Sequence, residues 1–314
     1  MSMRLAILCP GQGAQHAGLF DLLHEDEQAA AFLDQLPLVD YLDAPLAQVL
    51  SQPAHLYANG NAQVLIVAAQ LAAWQALREP LAAIAGPPVA VAGYSVGELS
   101  AYAVAEVIDP VAAVALAAQR AAAMDAAARS RPGQGLMALG GVDLAAAQDC
   151  LLRHGAHVAI VTGDDTFVAG GSSTALEAVA AELAGRGART TVLPVGLASH
   201  TPLMQAAVTP FAAALEGLSL HAPKTALLAG VSGQGIADAH QACALLLRQL
   251  TEPIQWAACL DACVERGVTV VLELGPGAAL SRMLRERHPQ LSCRSLADFR
   301  SLAGLLSWLR RQAD

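Results

Sequence analysis

Concentrated positive charge is the first thing this sequence lacks. Its formal net charge is −9 and only 14% of its residues are charged, whereas a nucleic-acid footprint needs clustered cations facing phosphates. A nucleic-acid partner is therefore not expected. Arginines do crowd one region, at Arg282, Arg285, Arg287, Arg294, Arg300, Arg310 and Arg311. They offer a local basic surface to an acidic partner, although a solvated helix face explains any one of them as well.

Uninterrupted apolar runs are also missing. None reaches membrane-spanning length free of charge, Gly or Pro, and Met1–Pro10 is too short for a signal peptide. A soluble, cytoplasmic protein without a membrane partner is expected. Aromatic residues make up only 4% of a chain that is 55% hydrophobic, so alanine and leucine supply the core and close helix packing follows. The six cysteines (Cys9, Cys150, Cys243, Cys259, Cys263 and Cys293) are dispersed, with no CxxC pair and no histidine at ligand spacing. Cys259 and Cys263 can share a helix face, but two soft ligands without a second pair make a poor zinc site, and no metal is assigned. Long linkers, low-complexity tracts and internal repeats are absent, and 314 residues suffice for one large core or a core carrying an inserted subdomain.

What is present is a strand that breaks at a serine. The apolar run Pro88-Val89-Ala90-Val91-Ala92 leads into Gly93-Tyr94-Ser95-Val96-Gly97-Glu98, and Leu99–Val107 reads as a helix. Strand, glycine, serine, glycine and helix are the parts of a nucleophile elbow, where a strained turn exposes Oγ and the following N–H faces a developing oxyanion. Ser95 is the candidate nucleophile. The glycines on either side fit because side chains there would collide with the neighbouring strand or helix. An ordinary strand-to-helix turn with a buried serine fits the same few residues, so context must separate the two.

A serine hydroxyl needs a base at neutral pH. Among nine histidines, His200 lies in Val195-Gly196-Leu197-Ala198-Ser199-His200-Thr201-Pro202, whose small polar residues suit a cleft wall, while His154, His221, His240 and His288 sit in segments that look like exposed helix ends or loops. Gly11-Gln12-Gly13 follows the first strand, and glycines there let backbone amides approach a substrate oxygen. The segment lacks the third glycine of a dinucleotide fingerprint and the Gly-Lys-Ser/Thr ending of a P-loop, so an oxyanion-hole role fits better than nucleotide binding. Arg120 lies in an alanine-rich helix over Val111–Met124. It can hold a carboxylate in a cleft through its planar fork or snorkel to the surface.

The order of elements predicts an α/β fold, a hydrolase-like core with a parallel sheet and helices on both faces. Between residues 129 and 196 the rhythm becomes strand (Leu136–Leu139), helix (Leu144–Arg153), strands (His157–Thr162 and Thr166–Ala169), helix (Ser173–Arg186) and strand (Arg189–Pro194). That is the βαββαβ order of a ferredoxin-like unit, read as an insertion over 129–196 into a core formed by 1–128 and 197–314. Thr269–Leu274 is a further buried strand ending at Gly275-Pro276-Gly277, after which the chain reads as helical.

Five ordered segments, PGQGAQ, GYSVGE, Arg120 after VIDPVAAVALAAQ, ASHTPLM, and EPIQW followed by LELGPG, resemble the malonyl-CoA:acyl-carrier-protein transacylase family over nearly the whole chain. The resemblance implies an acyltransferase with Ser95 as nucleophile and His200 as base. It implies an oxyanion hole from the N–H groups of Gln12 and Val96, Arg120 on the free carboxylate of a malonyl group, and Gln255 as the residue that orients His200. It further implies malonyl-CoA and the phosphopantetheine-type arm of an acyl-carrier protein as substrates, with no bound cofactor. Tyr94 stands where members serving fatty-acid synthesis usually carry His, and the GYSVGE and ASHTPL forms look most like the epsilon subunit of malonate decarboxylase. The expected partner is then that enzyme's carrier subunit; the alternative is the same transfer for fatty-acid or polyketide synthesis. Val161-Thr162-Gly163-Asp164-Asp165 replaces the Asn-containing turn often found in the family, and no binding role is assigned to it. A serine esterase and a carrier-docking subunit share parts of the pattern. The first would be indifferent to Arg120→Ala and the second to loss of Ser95.

Overall fold

The computed structural model describes residues 3–313. β1 (Leu5–Cys9) is buried along its whole length, as a strand covered on both faces must be. Its side chains alternate between two cores: Leu5, Ile7 and Cys9 face one cluster, and Ala6 and Leu8 the other. A run of short helices over residues 21–56 leads to α1 (Asn59–Ala85), which is buried on nearly every face and ends at Gly86, φ 74°. β2 (Ala90–Gly93), α2 (Gly97–Val104) and α3 (Pro110–Ser130) follow. Asp109 starts α3 by accepting from the N–H groups of Val111 and Ala112 at 2.8 and 3.1 Å, with Pro110 in the first turn. By length and composition α3 is apolar enough to cross a membrane. It packs instead against α1 and carries the buried Arg120.

The next segment supplies β3 (Gln134–Gly140), α4 (Leu144–His154), β4 (His157–Val161), β5 (Thr166–Ser172), α5 (Ser173–Ala184) and β6 (Arg189–Val192). Asp143 caps α4, Gly155 closes it at φ 71°, and Ser172 caps α5. The four strands pair antiparallel in the order β6-β3-β5-β4, with the first strand of the unit between the third and the fourth. This is the ferredoxin-like arrangement, and its own core is built on Met137, Leu139, Phe167, Leu151 and Val179.

The chain continues through α6 (Gln205–Glu216), β7 (Leu227–Leu228), α7 (Ala239–Arg248), β8 (Ile254–Gln255), α8 (Trp256–Glu265), β9 (Val270–Glu273), α9 (Ala279–Arg287), β10 (Ser292–Ser295) and α10 (Leu302–Ala313). The main sheet is wholly parallel in the order β10-β9-β1-β2-β7, giving the α/β core. Two details differ from the sequence reading. The arginine-rich end contains a strand, β10, which extends the main sheet beside β9. Gln255 and Ile254 leave the core to pair in parallel with β4, so the lobe's sheet is completed by a strand from the later half of the chain.

Candidate active site

Crowding of backbones shapes the elbow. A Cβ on Gly93 would lie 2.2 Å from Glu98 Cα, and one on Gly97 would lie 2.1 Å from the Cys9 carbonyl oxygen. Only glycine lets β2 turn into α2 against the end of β1. Ser95, between them, sits at φ 55°, a left-handed conformation costing about 1–2 kcal/mol for a residue with a Cβ. His200 is also left-handed, at φ 61°. Its N–H donates to the Leu250 carbonyl at 3.0 Å, which ties the 197–201 segment to the end of α7.

Ser95 Oγ and His200 Nε2 are 2.8 Å apart. His200 Nδ1 is 2.6 Å from the backbone carbonyl of Gln249. A carbonyl only accepts, so Nδ1 carries the proton and Nε2 presents its lone pair to the serine hydroxyl. Burial first, and the charge of Arg120 second, push the imidazole pKa down to about 3, against the pull of the Gln249 carbonyl. The base is therefore neutral and ready at ordinary pH.

Gln249, not Gln255, orients the histidine. Gln255 donates its N–H to the Gly230 carbonyl at 2.7 Å and pairs with Val161 in the lobe's sheet, which commits it elsewhere. Gln249 joins the site at three further points. Its Nε2 donates to the Ser95 carbonyl at 2.9 Å and to the Glu98 carboxylate, and its Oε1 accepts from Arg120 Nη2 at 2.7 Å. Glu98 is 0% exposed and also accepts from the Gly230 N–H at 3.1 Å. Burial lifts its carboxyl to about 7, opposed by the Gly230 and Gln249 hydrogen bonds and by Arg120.

Arg120 is 1% exposed. Nη1 donates to Gln63 Oε1 at 2.7 Å, Nη2 to Gln249, and Nε has no partner among the described residues. Burial lowers its pKa to about 10, with Glu98 opposing, so it stays charged at neutral pH. A buried guanidinium with a free N–H is unsatisfied until an acceptor arrives. Arg120, Ser95, His200, Gln12 and Gln63 line one cavity of about 140 Å³, whose far wall is the lobe's Leu136, Ile160 and Leu193. Gln12 reaches it on the loop after β1, where a Cβ on the adjacent Gly11 would lie 2.9 Å from the Tyr94 carbonyl oxygen. Val96 follows the nucleophile at the start of α2.

The arrangement thus gathers Ser95, His200, Arg120, Gln12 and Val96, and leaves Gln255 outside. Sequence reasoning missed Gln249, Glu98, Gln63, Asn59 and Asp125. Asn59 and Gln63 carried a signal, being polar residues one turn apart just ahead of the apolar run Val64–Ala69, and Glu98 carried another as the one charge in GELSAYAV. The 161–165 turn lies apart: Thr162 and Gly163 bond to Thr166, and Asp164 is 3.9 Å from Arg287.

An elbow serine paired with a carbonyl-oriented histidine on a parallel α/β core defines a serine-dependent acyl-transfer enzyme. Residues 7–306 match the family described as acyl transferase domain. The chain is 34% identical over 304 residues to the malonyl CoA-acyl carrier protein transacylase of Mycobacterium tuberculosis, covering 96% of this chain and 100% of that protein. It superposes on the crystal structure of MCAT from Mycobacterium tuberculosis with TM-score 0.87 and 32% identity, over 98% and 99% of the two chains. It is also similar, at TM-score 0.86 and 26% identity over 97% and 99%, to a malonyl-transacylase in complex with its type II PKS acyl-carrier protein. The chain belongs to the malonyl CoA-acyl carrier protein transacylase family of acyl transferase domains and is an acyltransferase.

Proposed function

We propose that the chain moves a malonyl group from a CoA thioester to the phosphopantetheine-type thiol of an acyl carrier protein through a malonyl-Ser95 intermediate. The observation that carries this is Arg120, a charged and wholly buried fork that lines the same small cavity as Ser95 and His200 and whose Nε has no partner among the described residues. A dicarboxylic acyl group satisfies it, whereas acetyl leaves it unpaired.

In the first half-reaction His200 Nε2 takes the Ser95 proton as Oγ attacks the thioester carbon. The oxyanion is held by the N–H groups of Gln12 and Val96. On collapse the C–S bond breaks and the CoA sulfur takes the proton from Nε2. In the second half the carrier thiol gives its proton to Nε2, its sulfur attacks the acyl carbon, and Ser95 Oγ leaves and is reprotonated. The apolar wall of Leu136, Ile160 and Leu193 limits water at the acyl-serine.

The relatives favour a carrier of fatty-acid or polyketide synthesis over the malonate decarboxylase subunit that Tyr94 suggested. Tyr94 packs its ring edge-on against Trp256, centroids 5.2 Å apart, where it supports the elbow and says little about a carrier. The test is intact-protein mass after brief mixing with malonyl-CoA, followed by addition of each carrier. A single malonyl adduct lost in Ser95→Ala and discharged onto a fatty-acid or polyketide carrier is expected. Discharge only onto a decarboxylase carrier would restore that reading, and absence of any adduct would remove the mechanism.

A further inference from the structure

Arg120 is held from two sides, and a carboxylate stands behind each. On one side Glu98 accepts from Gln249 Nε2, which turns Gln249 Oε1 to Arg120 Nη2. The other side is longer. Asp125, one and a half turns beyond Arg120 on α3, accepts from Asn59 Nδ2 at 2.8 Å. Asn59 Oδ1 then accepts from both Gln63 Nε2 and Gln12 Nε2, each at 2.9 Å, and Gln63 Oε1 accepts from Arg120 Nη1.

A side-chain amide has a donor end and an acceptor end, and unaided it can be turned either way. An ionised carboxylate only accepts, as does the Ala121 carbonyl at 3.4 Å from the same nitrogen, so Asp125, the nearer and charged acceptor, leads in giving Asn59 a single choice, with Nδ2 towards the acid and Oδ1 away. That fixes Gln63, because its donor must meet Asn59 Oδ1 and its acceptor must then face the guanidinium. It fixes Gln12 by the same reasoning. Resting on the reading of Arg120 as the malonyl clamp, we propose that Asp125 is a positioning residue. Through Asn59 it sets the amides of Gln63 and Gln12, so that Arg120 is aimed for a dicarboxylic acyl group and the oxyanion loop is held in place.

Asp125 does not line the cavity that holds Ser95, His200 and Arg120. Its removal leaves Asn59 Nδ2 only the longer, 3.4 Å bond to the Ala121 carbonyl, which loosens Asn59 and, through it, Gln63 and the fork that Gln63 holds. The two branches separate by substrate. Disturbance of Gln12 slows every acyl group alike, whereas disturbance of Arg120 slows malonyl alone.

The experiment compares rates of Ser95 acylation by malonyl-CoA and acetyl-CoA in the native chain, Asp125→Leu, Asp125→Asn and Arg120→Ala, with urea midpoints confirming that each is folded. Asp125→Leu is expected to lower the malonyl-to-acetyl ratio about tenfold, the worth of one misdirected charged hydrogen bond. Asp125→Asn still offers Asn59 an acceptor and is expected to keep most of the ratio. An unchanged ratio in Asp125→Leu beside a collapsed ratio in Arg120→Ala would overturn the relay and leave the clamp standing. An equal loss for both acyl groups in Asp125→Leu would overturn the relay to Arg120, leaving Asp125 as no more than a support of the loop that carries Gln12. A ratio insensitive to Arg120→Ala would overturn the clamp itself, and the relay with it.

Discussion

His200 owes its low basicity to two causes of different kinds, burial and a nearby charge, and only the charge resides in a single side chain. Burial is the larger cause and the Arg120 charge the second. Arg120→Ala should therefore let the histidine pKa rise towards, but not reach, its ordinary value near 6.5. For acetyl-CoA, which does not use the clamp, the acid limb of kcat/KM against pH should move upward in that variant; an unmoved limb would mean the guanidinium charge is not felt at the imidazole. The same substitution should lower malonyl transfer by about 10–10⁴-fold relative to acetyl transfer, since one or two charged hydrogen bonds at about 1.5–3 kcal/mol each are at stake. His200→Ala should slow acylation by both donors by roughly 10²–10⁴ without unfolding the chain, and unchanged single-turnover kinetics would remove it as the base.

The elbow shows how a secondary-structure element can be set by what it cannot contain. Gly97→Ala would place a Cβ 2.1 Å from the Cys9 carbonyl, and neither α2 nor β1 can yield, since both lie in the core. A loss of at least about 3 kcal/mol in urea unfolding is expected. Gly196→Ala, with nothing within 4 Å and an exposed site, is expected to change stability by less than about 0.5 kcal/mol, and equal losses in the two would discard the steric account. Apolar runs and their rhythm were legible from sequence, as in β1, β2, and the alternation of strands and helices from β3 to β6. The two-residue strands β7 and β8 were not, because a pair of residues carries no period. The residue behind His200 was hidden for a related reason: Gln249 orients the ring with a backbone carbonyl, which every residue type possesses, and EPIQW offered a more conspicuous glutamine six positions on. Conversely, Ser95 and His200 were legible because a nucleophile and its base require particular side chains.

At the scale of the whole molecule, Glu98 ties together parts that are far apart in sequence. Its carboxylate bonds to Gly230 in the loop after β7 and to Gln249 at the end of α7, while its backbone lies in the first turn of α2. That junction joins the elbow, the clamp and the histidine's support, and it has a pH signature. Glu98 titrates near 7 in the fold, above its ordinary 4.5. Its contribution to stability is therefore fully present below about 4.5 and is lost as pH rises through 7, a cost on the order of 3 kcal/mol. His200 works in the opposite sense. Its folded pKa near 3 lies below the ordinary 6.5, so its contribution is complete above 6.5 and fades as pH falls through 3. Between about 4.5 and 6.5 the two slopes offset one another, so a single unfolding curve of the native chain cannot separate them. Glu98→Gln can, because it removes one ionisation and leaves the other. It also turns a donor towards Gln249 Nε2, but that penalty does not vary with pH. Urea unfolding of both chains from pH 5 to 8 should show the native chain losing stability relative to Glu98→Gln as pH rises to about 7, then no further change. A difference that stays constant across that range would show that Glu98 does not hold its proton in the fold and that its charge is already accommodated at the junction.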